Sequence, residues 1–157
     1  MRVYHTSTVE ITLPDIAHSR DYLDFGRGFY LTTIRQQAEN YGQRFIRRGD
    51  TAIMNVYELN EIPDLFSYKK FDALDGEWLD YIACCRKGLA RQYYDIIEGG
   101  VADDKVFDTV DLYLQGVYSR EQALGQLCFK QPNFQICIAN QQLLEQCVHF
   151  MESIKLT

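Results

Sequence analysis

The stretch Asp24-Phe25-Gly26-Arg27-Gly28-Phe29-Tyr30-Leu31-Thr32-Thr33 says most about this chain. Two glycines lead the backbone directly into a β-rich run centred on a tyrosine. Upstream, Val3-Tyr4-His5-Thr6-Ser7 belongs to an alternating start, residues 2–7, that fits a first strand and carries a histidine. Gly26 and Gly28 admit two readings. One is a tight turn or bulge before the strand; the other is a place where missing side chains let a ligand approach the backbone. Together the segments suggest a pocket for a flat, phosphate-bearing ligand.

Two nucleotide folds are excluded at once. After Gly26-Arg27-Gly28, the position of the third dinucleotide-fingerprint glycine is Leu31, and a strand follows where a helix is required. The chain also contains no GxxxxGK[ST] phosphate loop.

Outward from this stretch, residues 15–24 are polar and irregular, a loop, and residues 28–32 are a second short strand. Thr33 with Gln36 reads as a capping box opening a helix whose stripe is Ile34, Ala38, Tyr41 and Phe45, ended by Gly49. Strands follow at 52–59 and 67–71. Asp75 then opens a helix with the face Trp78, Tyr81, Ile82 and Cys85, closed by Gly88. A strand at 94–98 precedes a Gly99-Gly100 turn, and a helix runs over about 103–115 on Val106, Phe107, Val110 and Leu114. Ser119 and Gln122 form a second capping box, and Pro132-Asn133 breaks that helix. In the strand 134–138, Phe134, Ile136 and Ile138 face one way, Gln135 and Cys137 the other. A short helix at 141–146 and a strand at 148–154 complete the order. Strands and helices mix without a βαβ rhythm, so the expected class is α+β, in one domain over 1–157.

The 157 residues are 46% hydrophobic and 24% charged, which is ordinary for a globular protein. A net charge of −6 argues against generic binding to a nucleic-acid backbone. Arg44, Arg47 and Arg48 read as cations finishing a helix. The start lacks the apolar run of a signal peptide and no segment is long enough to span a bilayer, so no membrane partner is expected. Five cysteines without a CxxC pair read as reduced thiols of a cytoplasmic protein. His5, His18 and His149 lack HxxxH spacing, so no metal site is expected. The acidic groups Asp75/Glu77/Asp80 and Asp103/Asp104 read first as helix N-terminal charges; a catalytic carboxylate pair is the other reading.

Taken in order, His5, Tyr30 and Gln135 resemble the three motif residues of the ADP-ribosyltransferase superfamily of diphtheria-toxin and poly-ADP-ribose-polymerase type. That superfamily uses a histidine on the first strand, a tyrosine on a later one, and a Glu or substitute on a strand near the end. The chain is also similar to an uncharacterised bacterial family carrying stretches like Asp75-Gly76-Glu77-Trp78-Leu79-Asp80-Tyr81-Ile82 and Gly100-Val101-Ala102-Asp103-Asp104. The resemblance spans nearly the whole chain, and the DFGxGFYxT segment is its most specific part.

It implies a split β-sheet core with surrounding helices and NAD as substrate. His5 would bond a ribose hydroxyl, and backbone groups near Thr6 would hold the nicotinamide amide. Tyr30 would stack on the nicotinamide ring, with Gly28, Phe29 and Thr32 lining the site around it. Gln135 departs from the pattern: it can bond the ribose hydroxyl but brings no charge to oppose the oxocarbenium-like cation formed as nicotinamide leaves. Glu77, Asp80, Asp103 or Asp104 would then supply that charge. The implied activity is ADP-ribose transfer to a macromolecular acceptor, or NAD hydrolysis with water as acceptor. The other reading is a non-catalytic NAD- or ADP-ribose-binding module, or a toxin-antitoxin type partner of a small protein.

Overall fold

The computed structural model describes residues 1–102, 104–128 and 133–157. Strand alternation sets the layers from the first element onward. In β1 (Arg2–Ser7) Val3 and His5 leave on one face, Tyr4 and Thr6 on the other. After it come β2 (Phe29–Leu31), α1 (Arg35–Arg47), β3 (Ala52–Leu59), β4 (Tyr68–Lys70) and α2 (Gly76–Lys87). The rest are β5 (Ile96–Gly100), α3 (Asp104–Leu114), α4 (Arg120–Leu127), β6 (Phe134–Ile138), α5 (Gln141–Cys147) and β7 (Val148–Leu156). The fold is α+β.

One sheet is ordered β1-β3-β7, the other β2-β6-β5-β4. All pairs are antiparallel except β4 with β5. Between the sheets lies a core of Val3, Phe29, Leu31, Tyr57, Ile96, Ile136, Ile138 and Leu143. On its outer face the first sheet packs Tyr4, Met54 and Val56 against Ala38 of α1. The outer face of the second sheet packs Ile97 and Cys137 against Trp78, Leu79 and Ile82 of α2, Val106 and Val110 of α3, and Leu127 of α4. Trp78 is fully buried, and its indole N–H donates to the Gly100 carbonyl at 3.1 Å, so the ring carries no unmet donor. Among the described residues no helix is long and apolar enough to cross a membrane.

Local signals placed several ends correctly. Asp75 accepts the Trp78 N–H at 3.0 Å, and Gly88 takes the left-handed conformation (φ +67°) that closes α2. The Ser119–Gln122 capping box forms in full. Three expectations fail.

Thr33 does not cap α1: Ile34 stands at the N-cap with no side-chain bond, and it is the Thr32 hydroxyl that accepts the Ile34 N–H at 3.1 Å. The stripe also turns, leaving Ile34 and Tyr41 about two-fifths exposed and burying Ala38 and Gly42. The cause is close approach, since a Cβ on Gly42 would lie 2.5 Å from Cδ1 of Leu156 and 3.2 Å from Cγ2 of Thr6. Gly99-Gly100 is not a turn but part of β5, where a Cβ on Gly99 would sit 3.0 Å from Cζ of Phe25. The expected helix break at Pro132 lies outside the described residues.

Candidate functional site

Among the described residues the two sheets meet through one isolated bridge. The Tyr4 N–H donates to the Thr32 carbonyl at 2.8 Å and the Thr32 N–H to the Tyr4 carbonyl at 3.0 Å; then β1 and β2 part. By the two-residue repeat of a strand, the Tyr30 carbonyl points to the same side as that of Thr32, toward the strand that has moved away. His5 fills the gap, its Nδ1 lying 2.7 Å from the Tyr30 carbonyl oxygen. A carbonyl only accepts, so Nδ1 carries the proton and Nε2 keeps its lone pair. The ring stacks on Phe29 with centroids 4.5 Å apart and 26° between planes. Burial lowers the imidazole pKa from its ordinary 6.5, partly offset by the carbonyl bond, and the ring is neutral at pH 7.

Tyr30 and Gln135 lie on the other face of the second sheet. Tyr30 pairs with Cys137 in register, and Gln135 is two residues from Cys137 on β6. The Tyr30 hydroxyl donates to the Gly26 carbonyl at 2.6 Å and accepts the Phe25 N–H at 3.0 Å, folding the glycine turn back onto its own tyrosine. Burial drives its pKa well above the usual 10, so it stays a phenol. Gln135 is 8% exposed, and its amide Nε2 donates to Oδ2 of Asp24 at 3.2 Å and to the Gly100 carbonyl at 3.3 Å.

Asp24 is the centre of this group. Its Oδ1 accepts Nη2 and Nε of Arg86 at 2.6 and 3.0 Å, and its Oδ2 accepts the Ala102 N–H at 3.1 Å as well as Gln135. The side chains of Arg86 and Asp24 are only 12% and 14% exposed. One carboxylate thus ties together the glycine turn, α2, the chain after β5, and β6. Asp24 heads the very stretch that decides the fold, yet no sequence signal gave it a role. Its chief partner lies 62 residues away, in a helix whose spacing marks only its apolar face.

The other expected site residues divide. Phe29 is core, stacked on His5 and edge-on to Tyr57. The Thr6 hydroxyl donates to the Ala38 carbonyl at 2.8 Å, and Thr32 makes the bridge. Gly28 answers to its own sheet: a Cβ there would lie 2.5 Å from Cys137 Sγ and 2.7 Å from the Ile138 carbonyl oxygen. Glu77 pairs with Lys69, and Asp80 with Arg120 at 3.1 Å, in exposed ion pairs on the outside of α2. Asp103 and the side chain of Asp104 lie outside the described residues. Among the described residues, the carboxylate that reaches Gln135 is Asp24.

The structure brings His5 to Phe29 and the Tyr30 carbonyl, Tyr30 to the 24–26 turn, and Gln135 to Asp24. It separates the His5 ring, which faces the core between the sheets, from the Gln135 amide, which faces α2 and the Gly100 carbonyl. No curated protein and no solved structure matches the chain. A family model described as "Protein of unknown function (DUF3990)" matches residues 1–150, and the chain belongs to that family.

Proposed function

We propose that this protein binds NAD where β1, β2 and β6 adjoin and transfers ADP-ribose from it to a macromolecular acceptor. What carries the reading is the strand adjacency. β1 is bridged to β2, β2 pairs with β6, and where β1 and β2 part His5 meets the Tyr30 carbonyl. On this reading the two sheets are the split core of an ADP-ribosyltransferase-like fold. The neutral His5 presents Nε2 as an acceptor for a ribose hydroxyl. Tyr30, with its hydroxyl held by the turn, offers a ring for the nicotinamide to stack on, worth about 0.5–1.5 kcal/mol beyond area burial.

In the transfer, the bond from ribose C1′ to the nicotinamide nitrogen breaks and its electron pair leaves with nicotinamide. The acceptor's nucleophile bonds to C1′ and loses its proton. The cation that develops between these events needs a nearby negative charge. Gln135 bonds the ribose hydroxyl, and Asp24, its own charge offset by Arg86, holds the glutamine amide in place.

The test is incubation of the protein with NAD labelled in the adenine ring, together with cell lysate. Label transferred to lysate macromolecules, with nicotinamide released, is the expected result; neither, from a folded protein, sinks the enzymatic reading. The burial of Gln135, with its amide already bonded to Asp24 and Gly100, favours a second reading as a non-catalytic NAD- or ADP-ribose-binding module. Saturable NAD binding in a calorimeter without nicotinamide release selects that one.

A further inference from the structure

A second feature lies beyond the 24–26 turn. A cleft of about 540 Å³ opens there, and its wall includes Phe25 and Gly26 but none of His5, Tyr30 and Gln135. That volume is within the roughly 300–1,000 Å³ typical of small-molecule sites. Tyr81 and Tyr94 line it with ring centroids 6.1 Å apart, and Tyr22 and Tyr93 stand at its mouth 64% and 60% exposed.

Two arginines reach the cleft of a chain whose net charge is −6. Arg27 pairs with Asp21 at 3.5 Å, the only carboxylate in the lining. Arg91 has no carboxylate within ion-pair distance among the described residues. Its guanidinium lies 5.8 Å from the centroid of the Tyr81 ring and over the bare face of Gly26, where a Cβ would collide with Nη2. Gly26 is at φ +81°, so both its backbone and its missing side chain make the seat for Arg91.

The roof is strained. Tyr22 is the one non-glycine with positive φ among the described residues, at +61°. Its ring covers Gly88, where a Cβ would come within 2.7 Å of Tyr22 Cε1. A tyrosine held in this region costs free energy that the surroundings must offset, and such outliers gather at ligand clamps. Here the outlier sits on the lip of a cleft that also holds a guanidinium with no acidic partner among the described residues.

We infer that this cleft binds a planar aromatic ring carrying a phosphate, the chemistry of a nucleoside monophosphate. The ring lies against the tyrosines, and the guanidinium fork of Arg91 takes two phosphate oxygens. The site is separate from the proposed NAD site and stands whether or not NAD is cleaved.

The experiment titrates the full chain calorimetrically with AMP, adenosine and inorganic phosphate in parallel. AMP binds saturably, and adenosine and phosphate each bind at least about tenfold more weakly, since each lacks either the charge-assisted bonds or the stacking. Arg91→Ala, in an exposed segment, weakens AMP by about tenfold to a hundredfold while thermal unfolding is unchanged. Tyr22→Gly raises the melting temperature, by releasing the strained backbone, and weakens AMP. His5→Ala leaves AMP binding as it was. Absence of AMP binding at millimolar concentration, or unchanged AMP affinity in Arg91→Ala or Tyr22→Gly, overturns the assignment.

Discussion

Replacing Asp24 with asparagine keeps the shape of the side chain and changes only its chemistry, which makes the consequence calculable. Among the described residues four groups reach the carboxylate, and all are donors: two from Arg86 on Oδ1, and the Ala102 N–H with the Gln135 amide on Oδ2. An asparagine offers one acceptor and one NH₂, so whichever way it turns, one pair of donors faces another donor. Arg86, 12% exposed, then loses the charge that compensates its own. Removing one partner of a buried ion pair costs about 3–5 kcal/mol. For a chain of this length each kcal/mol lowers the melting temperature by roughly 2–4 °C, so Asp24→Asn should melt about 6–20 °C below the parent. Urea unfolding of the parent, Asp24→Asn, Arg86→Leu and the double variant gives the coupling directly. A favourable interaction of about 2 kcal/mol or more is expected, within the range of a packed ion-pair network. A loss below about 1 kcal/mol for Asp24→Asn would place the pair among weak surface bridges and refute its role as the tie between the turn, α2 and β6.

Three further outcomes follow from the same geometry. Gly28→Ala should cost about 1–3 kcal/mol as β2 is pushed off β6, and Cys137→Ala should not rescue it because the Ile138 carbonyl still blocks the Cβ; full rescue contradicts this. Because His5 has a lower proton affinity folded than its ordinary 6.5, its contribution is intact above that pH and declines as the pH falls toward the depressed folded value. His5→Gln should therefore flatten the pH dependence of the urea midpoint just below 6.5, and an unchanged slope contradicts a buried neutral imidazole. Gln135→Glu would set a second carboxyl against Asp24 Oδ2, now 3.2 Å from the glutamine amide, so the pair would share a proton. Any gain in nicotinamide release in that variant should appear only as pH rises, and a gain independent of pH is inconsistent with this pairing.

What the sequence revealed was local. The alternation in β1 and β6 is legible in the sequence, and in β6 it sets Gln135 and Cys137 opposite Ile136 and Ile138. Asp75, Gly88, Ser119 and Gln122 are legible because a helix end leaves unpaired backbone groups that only certain neighbours satisfy. What was hidden depends on distant partners. Gly99-Gly100 looks like a turn until Phe25 and Phe71 occupy the space its side chains would need. The face of α1 is set by the close approach of Leu156 and Thr6 to Gly42, so a stripe read by residue type was right at Ala38 and wrong at Ile34 and Tyr41. Helix-dipole logic placed Asp75 and Glu77 correctly at the start of α2, while Asp80 falls beyond the first turn; Glu77 and Asp80 are held in ion pairs with Lys69 and Arg120. Asp24 was missed for the opposite reason, since a lone aspartate before a glycine turn resembles any loop residue until Arg86 is brought to it.

The most direct test of the central claim is a crystal structure of the protein soaked with NAD. The expected density shows the nicotinamide ring on Tyr30, a ribose hydroxyl bonded to Nε2 of His5, and the nicotinamide ribose beside Gln135 with Asp24 behind it. NAD lying wholly in the Arg91 cleft, or contacting neither His5 nor Gln135, would contradict it.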